Sequence, residues 1–339
     1  MKNRLISSLL LLAMLLGLTA CGRSGSTASS QPADDSSAGG AFSVSTPDPG
    51  PVVNVMAISG PTGVGAAPMM SGDARYNFTL VAGNDEVAPA LAKGEVDMAC
   101  IATNQASALY NKGIGITVLA ANTLGVLYIL EKGNSVTDVT SLRGKTIYAM
   151  GQGANPEYIL DHVLTRNGLD PDKDVDIEFM TPQEVIAKMT QSADGVCMLA
   201  VPAATNLLVK DTGIRQALDL SAEWDKVSDS PLVMGCVVVR NEFLEAHPEL
   251  VERFMTDYEA AITFMKDPAN VEQAAQLVAD CGITANAAIA AKAIPQCNLT
   301  FLAGEEMRGA IQAYFDILFT ANPASIGGGN PDDGFYHVP

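Results

Sequence analysis

Apolar positions along this chain come in three rhythms. From Leu9 to Leu18 they are almost continuous, behind a short segment carrying Lys2 and Arg4. That run is too short to span a bilayer and has the order of a charged leader followed by a hydrophobic core. After Cys21 the apolar residues nearly vanish. The stretch "GRSGSTASSQPADDSSAGG" has little to bury and predicts a flexible tether over residues 21–50. From Pro51 onward, β-branched runs alternate with runs of three-and-four spacing, the pattern of strands interleaved with helices. About 290 residues remain there, more than one core usually holds, so the pattern predicts two lobes.

The folded part repeats itself. "DEVAPALAKGEVDMACIATNQASALY" (Asp85–Tyr110) lies over "QEVIAKMTQSADGVCMLAVPAATNLL" (Gln183–Leu208) at a constant offset of 98 positions. Both read as helix, turn, strand, small polar loop, helix. Asn84 or Asp85 can cap the first helix; Thr181-Pro182 followed by Glu184 predicts a capping box for the second. Upstream of each unit stands a strand that runs into a glycine-rich turn: "VVNVMAISGPTG" in one, "GKTIYAMGQGANPEY" in the other. Alternating strands and helices predict parallel sheets. Two such sheets face each other with the carboxyl ends of their strands, where ligands bind. Four loops meet there: Gly60–Gly65, Thr103–Gln105, Gly151–Asn155 and Val201–Ala203. "AANTLGVLYILEKG" and "SPLVMGCVVVR" read as the two strands that cross between lobes. This places one lobe at residues 51–124 and 236–339 and the other at 125–235. Residues 247–265 carry Leu250, Val251, Phe254, Tyr258, Ile262 and Met265 at helical spacing, a packing face. The tail "ANPASIGGGNPDDGFYHVP" is turn-rich and predicts a surface covering.

Charge and cysteine content remove several classes of function. The formal net charge is −18, and removing Lys2 and Arg4 with the leader leaves −20. Nucleic acid and anionic membrane surfaces call for basic patches, so neither is a partner. Six cysteines occur without a C-x-x-C, and three histidines stand singly, so no zinc spacing exists. Cys100 and Cys197 lie in apolar strand-like runs; Cys236, Cys281 and Cys297 can supply one bridge, 236–297 or 281–297. Gly60–Gly65 opens like a phosphate-binding loop, but Ala66 and Ala67 stand where it needs Lys and Ser or Thr. The turn instead offers bare backbone N–H groups and a helix dipole to a small molecule. Catalytic signatures are missing, and no cofactor is expected.

Several segments together resemble one family. Leu18-Thr19-Ala20-Cys21 resembles the lipobox of bacterial lipoproteins, in which residues 1–20 are removed and Cys21 is lipidated. With the Ser-rich tether, "GPTG", "TN" after an apolar strand, "NTLGVLYILEKG", "GKTIYAMGQGANPEY", "MGCVVVR" and "SIGG", the chain resembles bacterial ABC-importer substrate-binding lipoproteins of the sulfonate, taurine, nitrate and pyrimidine-precursor group. The resemblance implies an α/β, two-lobed type II periplasmic-binding-protein fold with a hinge of two crossing strands. It implies a monomer that captures a small organic molecule, works with ABC permease subunits, performs no catalysis, and sits lipid-anchored outside the cytoplasmic membrane, on a Gram-positive surface. Alternatives are an enzyme on the same fold, for which Cys100 and Cys197 are the candidate nucleophiles, and a sensor lipoprotein. The ligand positions implied are Gly60, Pro61, Thr62, Gly63, Thr103, Asn104, Thr123, Gly151, Gln152 and Gly153. Pro202, in the fourth loop, joins them; relatives carry an acidic segment near it, where this chain has Val201-Pro202-Ala203.

Residue chemistry separates these candidates. Gln152, between two glycines, has no capping role and reads as a ligand contact. Asn104 can bind ligand or cap its helix. Thr62 can do either of the corresponding jobs in its turn. Asp97 reads as a clamp on loop backbone and Glu157 as an acid suited to a helix N-terminus. Trp224, the one tryptophan, reads as a surface-helix residue rather than a stacking platform.

Overall fold

The computed structural model describes residues 51–339, so the leader, Cys21 and the tether lie outside the described residues. The chain begins with β1 (Val53–Ile58), two one-turn helices, α1 (Pro61–Val64) and α2 (Ala67–Met70), then β2 (Tyr76–Val81), α3 (Asn84–Lys93), β3 (Met98–Ala102), α4 (Thr103–Asn111) and β4 (Ile116–Thr123). Residues 124–126 lead to β5 (Leu127–Lys132), β6 (Thr146–Ala149), α5 (Asn155–Arg166), β7 (Asp176–Phe179), α6 (Pro182–Gln191), β8 (Gly195–Ala200), α7 (Ala203–Lys210), β9 (Ile214–Asp219) and α8 (Leu220–Asp225). Residues 226–234 return the chain to β10 (Gly235–Arg240), α9 (Asn241–Ala246), α10 (Pro248–Lys266), α11 (Val271–Asp280), α12 (Ala287–Ala293), β11 (Leu299–Ala303) and α13 (Gly304–Ala321).

These elements build two sheets with the same plan. One has the order β11-β4-β10-β3-β1-β2 and the other β7-β6-β8-β5-β9. In each, two parallel pairings, β1 with β2 and β3, β6 with β7 and β8, form one half. The expectation of purely parallel sheets is corrected. β10 sits antiparallel between β3 and β4, and β5 sits antiparallel between β8 and β9. The cause is the crossing itself. Parallel strands run toward the junction between the sheets, whereas a strand that has just crossed starts at that junction and runs away from it. α3 and α6 start at residues 84 and 182, so the 98-residue offset is a structural repeat.

Local chemistry explains the helix ends. Thr181 and Glu184 form the predicted capping box, with Glu184 N–H donating to Thr181 Oγ1 at 3.3 Å and Thr181 N–H to the Glu184 carboxylate at 2.8 Å. At α3 the N-cap is Gly83 rather than Asn84 or Asp85, and it makes no side-chain cap. Leu250, Val251, Phe254, Tyr258, Ile262 and Met265 are all buried on α10. Asp97 clamps backbone as expected, accepting from Asn54 N–H at 2.9 Å.

The tail is more deeply seated than its turn-rich sequence predicts. Phe335 is fully buried, and Ser325, Ile326 and Tyr336 are buried with it. One polar face of α4 holds it: Asn104, Ser107 and Asn111 donate to Ser325 O, Ile326 O and, from Asn111, Gly329 O as well. Among the described residues no helix is long and apolar enough to cross a membrane.

Glu131 is a buried acid, 2 % exposed, at the end of β5. Its carboxylate accepts from Ser135 N–H and Oγ, from Val136 N–H, and from Arg215 Nη2 at 2.5 Å. Burial alone would raise its pKa. The hydrogen bonds from Ser135, Val136 and Arg215 outweigh that and hold it below the ordinary 4.5. The folded chain therefore binds this proton less readily than the unfolded chain. The stabilisation is present above pH 4.5 and is lost as pH falls through the lowered native value. Glu131→Gln is expected to cost about 2 kcal/mol at neutral pH. It should also flatten the fall of Tm as pH drops below 4.5; parallel Tm-against-pH curves for the two proteins would overturn the assignment.

Candidate ligand cleft between the two sheets

The carboxyl ends of the parallel strands converge on a cleft of about 740 Å3. The first sheet contributes Ile58–Thr62 from the end of β1, Ala82 and Gly83 after β2, Ala102 at the end of β3, and Thr123 at the end of β4. The second contributes Met150–Gln152 and Ala154–Pro156 after β6, Phe179–Glu184 after β7, and Ala200–Ala203 after β8. Ile186 and Asn206, on α6 and α7, extend that wall; Met234 lies at the floor, and Ile283–Ala285 with Ile289 close one side. The apolar surface is methionine, isoleucine, valine, proline and alanine with one phenylalanine. The polar groups are hydroxyls and carboxamides. Among the described residues that line it, Glu184 is the one charged side chain.

Of the positions expected from sequence, Gly60, Pro61, Thr62, Thr123, Gly151, Gln152 and Pro202 line the cleft. The Val201–Pro202 peptide bond is cis. Gln152 is exposed at the cleft wall. Three positions stand behind this lining, and Gly153 is exposed beside it. Gly63 packs so tightly that a Cβ would lie 2.6 Å from Ile58 O. The Thr103 hydroxyl donates to Val233 O and is 1 % exposed. Asn104 is fully buried and donates away from the cleft to Ser325 O at 3.2 Å. Gly153 N–H donates to the Glu157 carboxylate, the structural role expected of that acid.

Asn155, which sequence reasoning placed only at a loop boundary, joins the lobes. Its Nδ2 donates to Met234 O at 2.9 Å and to Thr103 Oγ1 at 3.3 Å, and its Oδ1 accepts from Tyr314 Oη at 3.0 Å. A buried amide with all these partners carries no unsatisfied cost and fixes the turn ahead of α5 against the first sheet. Trp224 corrects the expectation of a surface role. It is fully buried, donates from Nε1 to Ser230 O at 2.8 Å, and meets the Tyr314 ring edge-on at 5.7 Å. The wall after β7 was missed because its residues read only as a helix cap, although strand ends are where ligands bind. Ile283–Ala285 comes from a helical return and has no sequence signal.

Cys100, Cys197, Cys236, Cys281 and Cys297 are all free, so neither bridge is formed. Burial pushes the Cys100 and Cys197 thiols up to about 12, so neither supplies a thiolate nucleophile at neutral pH.

Two mixed sheets of one plan, crossed by two segments and facing each other across a cleft, define the two-lobed periplasmic-binding-protein fold. The NMT1/THI5-like family model matches residues 77–271, more than half of the chain, and the chain belongs to that family. An ABC transporter protein from Parabacteroides distasonis superposes with a TM-score of 0.72 at 23% identity, covering 84% of this chain and 98% of that one. The periplasmic aliphatic sulphonate-binding protein of Escherichia coli gives a TM-score of 0.68 at 16% identity, covering 85% and 92%. The ligand-binding component of an ABC-type import system from Staphylococcus aureus gives 0.65 at 14%, covering 85% and 97%. No curated protein matches the chain.

Proposed function

We propose that this protein is an extracytoplasmic solute-binding lipoprotein that captures a small organic molecule between its lobes and hands it to the permease subunits of an ABC importer. The single observation that carries the reading is the cleft of about 740 Å3 where the strand ends of both sheets meet. That volume suits a small organic ligand, and its lining of apolar side chains with a few polar groups suits recognition rather than turnover. The lobes comprise residues 51–124 with 236–339, and residues 125–235. Gly60, Pro61, Thr62, Thr123, Gly151, Gln152 and Pro202 touch the solute, Gly63, Thr103 and Asn104 hold them in place from behind, and Gly153 gives the turn its left-handed conformation at the rim. A lipid on Cys21 anchors a monomer to the surface of a Gram-positive cell.

A thermal-shift screen of the purified full chain against small metabolites tests this. A solute at 100 times its Kd adds about 2.7 kcal/mol of stability, a shift of several degrees. Gln152→Ala is expected to weaken binding about tenfold, through loss of one side-chain hydrogen bond in a desolvated site, with Tm of the free protein unchanged. Unchanged affinity in Gln152→Ala would remove the turn after β6 from the site. Turnover of a candidate substrate by the wild type would replace capture with catalysis.

A further inference from the structure

Helix N-termini attract anions through free N–H groups and the helix dipole, and several helices start at this cleft. All but one of those starts are already compromised or occupied. α1 is a single turn with Pro61 at its first position, and Gly63 and Val64 N–H both turn back to Gly60 O, at 3.0 and 3.1 Å. α4 begins at Thr103, whose N–H donates to Met234 O at 3.2 Å. α5 has Pro156 in its first turn, and Gly153 N–H, just ahead of it, is taken by the Glu157 carboxylate. α6 starts with Pro182, and the Glu184 carboxylate takes Thr181 N–H at 2.8 Å and Thr181 Oγ1 at 2.7 Å. α7 is the exception: its N-cap Pro202 lacks an N–H, but among the described residues the N–H groups of its first turn have no acid or carbonyl on them. Proline has no N–H to give. At α6 the place an incoming anion would fill holds one of the chain's own carboxylates, and at α5 Glu157 fills the same place just beside the lining. The Thr181 hydroxyl and N–H hold the Glu184 carboxyl below the usual range, so it stays ionised at neutral pH.

No lysine, arginine or histidine stands among the described lining residues to offset that charge. What remains is uncharged: the hydroxyls of Ser59 and Thr62, those of Thr123 and Thr284, which donate to Asn122 and Asn286 and can still accept, and the carboxamides of Gln152, Gln183 and Asn206. The first turn of α7, which has no acid of its own, suits a carbonyl oxygen.

We infer that the cleft selects an uncharged, hydrogen-bonding organic molecule with an apolar body and discriminates against its anionic isostere. This rests on the solute-capture reading and narrows it. It sets the chain apart from its structural neighbour that binds aliphatic sulphonates.

The test uses matched pairs on the full chain at neutral pH: benzamide and benzoate, hexanamide and hexanoate, benzenesulfonamide and benzenesulfonate. Titration calorimetry gives both affinities of each pair. The uncharged member is expected to bind about tenfold or more tightly, the scale set by one like charge nearby in a partly desolvated site. Glu184→Gln and Glu157→Gln should each narrow that ratio by improving the anion, because they free N–H donors and remove the resident charge. Tighter binding of the anionic members to the wild type overturns the inference while leaving solute capture standing. A ratio unmoved in both variants also overturns it, since the acids would not be the source of selection. Failure of every pair, charged and uncharged alike, counts against solute capture itself and takes the inference with it.

Discussion

Trp224→Ala is expected to lower the stability of the chain by about 4 kcal/mol, within the range measured for removing a fully buried tryptophan. The residue sits on α8, next to the returning segment, and its ring meets Tyr314 of α13 edge-on at 5.7 Å and His162 of α5 at 4.7 Å. Removing it leaves a cavity where the two lobes meet beside the hinge, and leaves Ser230 O without the indole donor that reaches it at 2.8 Å. Trp224→Phe keeps most of the ring contact and loses the donor, so it should cost about 1–2 kcal/mol. Denaturant unfolding of the three proteins checks the order. Two further readouts separate this site from the ligand wall. Trp224→Ala should shift Tm without changing which solutes bind, because the ring does not line the cleft. A loss below about 1 kcal/mol would mean that the α8–α13 contact closes over the gap, contrary to the density of a packed interior.

How much of this is legible in the sequence depends on the range of the signal. The strand–turn–helix units and their 98-residue offset are local patterns, so α3, β3, α6 and β8 stand where periodicity puts them. The glycine turns at Gly60 and Gly151 were legible because a turn ahead of a helix is written in consecutive residues. Direction within a sheet is not local. "GCVVVR" reads as a strand in any sheet, and only the path through the hinge makes it antiparallel to β3 and β4. Burial set by distant partners was also unreadable. Asn104 after an apolar strand is chemically suited to a ligand, but the tail residue Ser325, more than two hundred positions away, claims its amide. Trp224 in "SAEWDKV" is flanked by charge, and nothing nearby announces Tyr314. The same holds for Asn155: a loop residue by spacing, a junction between lobes by contact.

Backbone conformation at the cleft turn supports the other large effect. Gly151 lies at φ +85°, in the left-handed region, and a Cβ there would stand 2.5 Å from Pro156 Cγ. Gly153, two residues on, lies at φ +70° but has nothing within 4 Å of a Cβ. Both positions disfavour a β-branched residue by about 1–2 kcal/mol for the backbone alone. Only Gly151 adds a steric term, and the rigid pyrrolidine of Pro156, held in the first turn of α5, cannot swing aside. Overpacking of that kind adds about 1–3 kcal/mol. Gly151→Val is therefore expected to cost about 4 kcal/mol against roughly 2 kcal/mol for Gly153→Val, read from unfolding midpoints. The functional contrast is sharper than the stability contrast. Gly151 lines the cleft and its turn is tied to the first sheet through Asn155, so displacing it from Pro156 moves the wall that Gln152 occupies. Solute-dependent stabilisation should disappear in Gly151→Val and survive in Gly153→Val. Equal losses in the two would show that the turn slides freely off Pro156, and that the Asn155 junction does not hold the wall against which a solute is read.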